Sequence, residues 1–250
     1  MQRARRLAST AVVAVLAVSG LSACRAEPDV AAYLGANGSI TEAEVDNVYD
    51  QAFDALTSAR DQAQQAGQAA GASAEAVPPV QMPFKQHDVL NALLTVKLLE
   101  KAAAAHSVQA AAKPTVEEVA QSARLAPEWE YTKLYTRAEQ LRNALLPTVT
   151  PAQVADADLR AVYDRLAAAG ATNLPPFEQF KTQLSEGDRT VLQQSFGLRD
   201  ELVKIIADED IKPNPRYGDQ RIAVFEISGG VRLVEVSLPG SQAPFVTDLS

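Results

Sequence analysis

Between Val45 and Ile206 the sequence carries one apolar stripe after another at three- and four-residue steps, and at Pro213-Asn214-Pro215 that rhythm stops. Such steps put side chains on one face of a helix. A chain built this way must pack helices on helices before it builds any sheet. The first stripe is Val45, Val48, Tyr49, Ala52, Phe53 and Leu56. Ile40 stands ahead of it as a hydrophobic staple, and Thr41-Glu42-Ala43-Glu44 reads as a capping box. A second helix spans about 86–105. Its Leu90, Leu93, Leu94, Val96, Leu98 and Leu99 spread over more than one face, which predicts a central position. Shorter stripes follow Pro114-Thr115 (Val116, Val119, Ala120) and Pro127 (Tyr131, Leu134, Tyr135, Ala138, Leu141, Leu145). Thr150-Pro151 reads as cap and first residue of a fifth helix, with Leu159, Val162, Tyr163 and Leu166 inward. Phe177, Phe180 and Leu184 stripe a sixth, and Val191, Leu192, Phe196, Leu202, Val203 and Ile206 a seventh near 188–208. Abundant alanine and only 6% aromatic residues agree with helices, because alanine costs no side-chain entropy there.

Three segments read as strands: 29–34 (DVAAYL), 222–227 and 231–238. The last two are joined by Ser228-Gly229-Gly230, a hairpin signal. A lone hairpin is marginal in water, so a third strand is needed. The sequence therefore predicts a mainly α fold with a small antiparallel sheet formed by the N-terminal strand and the C-terminal hairpin. Residues 67–83, polar and ending near Pro78-Pro79, read as a mobile connection within a domain spanning 24–238. Residues 239–250 have no period and read as a loose tail.

The start of the chain is an export signal. Residues 1–6 are basic, 7–20 are apolar and small, and Leu21-Ser22-Ala23-Cys24 follows. The apolar stretch falls short of the roughly 20 residues that span a bilayer. The LSAC ending resembles a lipobox, whose cysteine is lipidated before the signal peptide, here 1–23, is cut away. Cys24 is the only cysteine, so no internal disulfide is available. The expected location is the extracytoplasmic face of a membrane, held by a lipid anchor. Arg3, Arg5 and Arg6 leave with the signal, so the mature chain keeps 20 basic residues against 31 acidic ones, a formal charge of −11. That acidity argues against nucleic acid as a partner.

Catalytic signatures are missing. There is no Gly-x-Ser-x-Gly elbow and no phosphate-cradling glycine loop. His87 and His106 flank the second helix and lie roughly 28 Å apart along it, too far to share a metal or a proton. Asp208-Glu209-Asp210 reads as a solvated helix break. Nothing calls for a cofactor or a metal. Trp129 reads either as core or as a surface anchor for a partner.

The order of motifs resembles the SurA and PrsA type of exported chaperones and foldases, in their helical peptide-binding part. The residues that carry the likeness are Ala36-Asn37-Gly38-Ser39-Ile40-Thr41-Glu42-Ala43-Glu44-Val45-Asp46, the Val89-Leu90-Asn91-Ala92-Leu93-Leu94 helix, Val116-Glu117-Glu118-Val119, 154–164, and the closing Asn214-Pro215-Arg216-Tyr217-Gly218. Together they span about 29–218. Many foldases of this type insert a parvulin isomerase domain; here 163–210 has no histidine and no strand-like run. The resemblance implies a non-catalytic, membrane-anchored protein that holds unfolded or extended segments of exported polypeptides in a cradle of helix faces. Trp129, Tyr131, Tyr135, Phe177 and Phe180 are the candidate contacts, since aromatic rings offer large apolar area. Core placement is the competing reading for each. The alternatives are an assembly lipoprotein holding one specific partner, a degenerate peptidyl-prolyl isomerase, and a small-molecule-binding lipoprotein.

Overall fold

The structure, a computed structural model, describes residues 29–69, 78–227 and 230–238. The signal segment, Cys24 and the tail 239–250 lie outside the described residues. The chain runs β1 (Val30–Leu34), β2 (Ser39–Thr41), α1 (Glu42–Ala69), α2 (Gln86–Ala105), α3 (Val116–Ala123), α4 (Glu130–Leu145), α5 (Asp156–Ala168), α6 (Phe177–Gln183), α7 (Glu186–Asp208), β3 (Ile211–Pro213), β4 (Arg221–Ile227) and β5 (Val231–Ser237). It is mainly α, with a three-stranded antiparallel sheet and a separate hairpin.

The capping box of α1 forms as its sequence requires. Thr41 N–H donates to Glu44 Oε2 at 2.7 Å, and Glu44 N–H donates to Thr41 Oγ1 at 3.2 Å. Ile40 is buried beneath this turn. The first half of α1 buries Val45, Val48 and Ala52. Its second half carries little that is apolar, yet the helix continues to Ala69. Residues 67–69 are thus helical rather than part of a connection, because the Gln/Ala run has high helix propensity and a single Gly67 is tolerated. Residues 70–77 lie outside the described residues. The chain rejoins the body at Phe84, which is buried.

α2 is the central helix. It buries Val89, Leu90, Leu94, Val96, Leu98, Leu99, Ala102 and Ala103, and packs against α1, α4, α7 and β4. α3 repeats the capping-box device with Thr115 and Glu118. Two helix starts fall later than the sequence suggests. After Pro127 the chain makes a turn that Thr132 Oγ1 closes on the Ala126 carbonyl at 2.7 Å, and α4 begins at Glu130. Pro151 does not open α5, which begins at Asp156. Ala152 N–H instead donates to the Gln193 carbonyl of α7 at 2.9 Å. The segment lies so close across α7 that a Cβ on Gly197 would stand 2.2 Å from the Thr150 carbonyl oxygen. Only glycine admits that approach.

The ends of the described chain meet, but not through the expected pair. β1 sits between β2 and β3, in register Tyr33↔Ser39 on one side and Leu34↔Ile211 and Ala32↔Pro213 on the other. Asn214 clips the joint: its backbone N–H donates to the Ala31 carbonyl at 2.8 Å and its side-chain amide to the Val30 carbonyl at 3.0 Å. The hairpin β4–β5 stands apart as its own two-stranded sheet. It has no need of β1, because Ile222, Val224, Val234 and Val236 are sealed by helices: α2 and α7 pack on β4, and α5 and α7 on β5. β3 escapes a sequence reading because it is three residues long and ends in proline. At a sheet edge the missing N–H is harmless. Gly35, at φ +61°, makes the turn after β1; a Cβ there would strike the Glu209 carbonyl at 1.9 Å.

Candidate functional site

The five aromatic candidates divide into two groups and a crevice between secondary elements. Trp129 and Tyr131 belong to the first group, with Tyr49 and Phe84. Phe84 stacks on Tyr131 with centroids 4.0 Å apart and meets Trp129 and Tyr49 edge-on at 6.0 and 6.1 Å. Trp129 is 6% exposed, so it is core and offers no surface anchor in this conformation. Its indole Nε1 is buried without a partner. The group fastens the returning segment at Phe84 between α1 and α4.

Phe177 and Phe180 form the second group with Tyr163 of α5. Tyr163 meets the two phenylalanines edge-on at 5.6 and 5.4 Å, and the Arg160 guanidinium lies 3.5 Å from the Phe177 centroid. Phe177 is 8% exposed and counts as core; Phe180 is half-buried. What distinguishes this group is its cover. α6 has seven residues, too few to be helical alone. Its main neighbour is α5. The exposed pair Lys181–Asp156 at 2.6 Å is a second tie to α5, and α7 holds the segment through Arg189, whose Nε donates to the Leu184 carbonyl at 3.3 Å and whose Nη2 donates to the Lys181 carbonyl. Exposed ion pairs contribute about 0–1 kcal/mol. Left-handed residues at Gly170 (φ +78°) and Asn173 (φ +65°), then Pro175-Pro176, precede it.

Tyr131 and Tyr135 also edge a crevice of about 40 Å³ between α2, α4 and the hairpin. Tyr135 donates its hydroxyl to Glu226 at 3.2 Å. Burial pushes the Tyr131 hydroxyl up to about 12 from an ordinary 10.0, and burial with the Glu226 charge raises Tyr135 further.

The broad cradle implied by the resemblance is not open here. Among the described residues, the large apolar side chains that are exposed are Tyr33 (37%), Phe53 (40%) and Val203 (49%), on β1, α1 and α7. The histidines are structural in their contacts. His87 Nδ1 lies 2.5 Å from the Tyr217 carbonyl and 2.9 Å from Gln220 Nε2, and His106 Nε2 lies 2.8 Å from Glu201. Among the described residues no three His, Cys, Asp or Glu side chains gather as a metal site, and no helix is long and apolar enough to cross a membrane.

Sequence reasoning missed Phe84 and Arg142. Phe84 precedes its helix and has no periodic partner to flag it. Arg142 did have a signal: it continues the 131, 135, 138, 145 stripe of α4, a charge at a core position. It is 6% exposed.

Fold and sites together define, among the described residues, a mainly α module with a buried core, an aromatic cluster under α6 and a polar crevice beside α4. No family model, curated protein or solved structure matches the chain.

Proposed function

We propose that this chain is a lipid-anchored, exported, non-catalytic protein that binds extended apolar segments of other exported polypeptides, with α6 as the element that yields to them. One observation carries the reading: the Tyr163–Phe177–Phe180 cluster is covered by a helix of about two turns whose other ties are exposed polar contacts. Swinging α6 aside uncovers aromatic surface and, of the buried core, draws out Phe177 alone. The aromatics then serve as client contacts only in the opened form. Binding of this kind is weak and reversible, and the acidic mature surface favours basic clients. The motif order at 36–46 and 214–218 agrees with this reading, and Cys24 supplies the anchor.

The test uses the mature chain with Cys24→Ser in place of the lipidated residue. It is expected to slow aggregation of an unfolded exported protein, and a photo-crosslinker at Tyr163 is expected to capture that client. No suppression, or capture only from positions remote from α5 and α6, contradicts the proposal. A tetrapeptide proline-isomerisation assay is expected to show no turnover.

A second reading is favoured by the sealed surface: the chain holds one specific partner in an assembly. Recovery of one and the same protein from membranes, with no suppression of aggregation, selects it.

A further inference from the structure

Arg142 is buried at a core position of α4, and only part of its guanidinium is used. Nη1 donates to Glu139 at 2.5 Å, while Nε is buried with no partner. A buried donor without an acceptor costs free energy, so a residue of this kind calls for an occupant. Arg142 lines the crevice between α2, α4 and the hairpin. The other polar walls are Asp88, Asn91 and Thr95 of α2, Tyr131 of α4, and Glu226 and Arg232 of the hairpin. The α2 side is a polar stripe, 88, 91 and 95, on an otherwise apolar helix.

The charges restrict what can sit there. Two guanidiniums, Arg142 and Arg232, face two carboxylates, Asp88 and Glu226, across the crevice, and Glu139, outside the lining, is already paired with Arg142. Glu226 is held by the Tyr135 hydroxyl at 3.2 Å and lies 3.9 Å from Arg232 Nε. A carboxylate ligand would be opposed by Asp88 and Glu226. A cation would be opposed by the buried guanidinium. A neutral group with an acceptor at one end and a donor at the other fits both walls. A volume of about 40 Å³ limits it to a few heavy atoms.

We propose that the crevice is a binding site for a carboxamide, with its carbonyl oxygen on the Arg142 guanidinium and its N–H on the Glu226 carboxylate. The source is an Asn or Gln side chain or a peptide unit of a bound polypeptide. The inference does not depend on movement of α6.

The test follows the Arg142 Nε–Hε signal by NMR in the mature Cys24→Ser chain. Acetamide, N-methylacetamide, acetate and methylammonium are titrated separately into the millimolar range. Saturable shifts with acetamide alone support the proposal and assign the side-chain source. Shifts with N-methylacetamide as well support it and assign the peptide unit. Arg142→Lys keeps the charge but loses the planar fork; read at the Asn91 side-chain amide, which lines the same crevice in both chains, it is expected to weaken amide binding about tenfold. A thermal melt checks that this variant is folded, and the wild-type titration decides the matter if it is not. Acetate binding as well as or better than acetamide overturns the proposal, as does methylammonium doing so. No shift with any of the four also overturns it and leaves an ordered water as the occupant.

Discussion

α2 and α6 both bury aromatic or branched apolar side chains, but they are held in different ways. α2 is gripped on all sides by α1, α4, α7 and β4, and ten of its twenty residues are buried. α6 is gripped mainly from one side, by α5, whose Tyr163 meets its two phenylalanines edge-on. Burial alone does not make an element rigid. What counts is how many independent neighbours must be given up to release it. Release of α2 unfolds the domain, whereas release of α6 exposes one cluster and leaves the rest standing.

Mutations should separate these two regimes. Leu99→Ala removes a fully buried side chain of α2 and is expected to cost about 2–5 kcal/mol of global stability, read by denaturant unfolding. Gly197→Ala drives a Cβ into the Thr150 carbonyl and is expected to cost about 1–3 kcal/mol, again globally, because the 150–155 segment is part of the body. Ser185→Ala removes the cap that accepts the Asp188 N–H at 3.1 Å and is expected to cost about 1 kcal/mol at the α6–α7 boundary. Phe177→Ala is the sharpest contrast. As a core phenylalanine it should rank with Leu99; as part of a yielding cover it should cost under about 1 kcal/mol globally while α6 loses protection from exchange. Matching global losses for Phe177→Ala and Leu99→Ala would erase the distinction between the regions.

The smallest effect is at high pH. Tyr131 has a raised folded-state pKa, so its neutral form is favoured by folding. Its contribution is complete below about pH 10 and is lost as pH rises through about 12. Tyr135 shifts in the same direction. Ultraviolet titration of the tyrosines is expected to show a late-ionising fraction that shrinks in Tyr131→Phe, with stability at neutral pH little changed.

Much of the helical architecture was legible because stripe spacing and caps are local. Thr41 with Glu44, and Thr115 with Glu118, fix helix starts within four residues of sequence. The start of α5 was misread because its determinant is distant: Thr150-Pro151 is a good local signal, overridden by the Gln193 carbonyl and the space at Gly197. The partner of β1 was misread for a similar reason. Residues 211–213 look like a helix terminator, and only the sealed position of the hairpin frees β1 to take them. Among the site candidates, periodicity put Tyr131 and Tyr135 on an inward face of α4 but could not say that a crevice lay there. Trp129 and Phe177 proved interior, as large aromatics beside apolar stripes usually are. Arg142 stood in plain view on the α4 stripe, a charge where the period asks for an apolar residue.

The most direct test is native-state hydrogen exchange read at α6 and α2, in the wild-type mature chain and in Leu99→Ala. The expected result is that 177–183 exchanges far faster than 89–103 and that its rate is unmoved by Leu99→Ala, which accelerates the α2 amides together with the other amides that exchange only through global unfolding. If α6 exchanges as slowly as α2, and Leu99→Ala speeds both by the same factor, the two regions open together and α6 covers nothing that can be uncovered on its own.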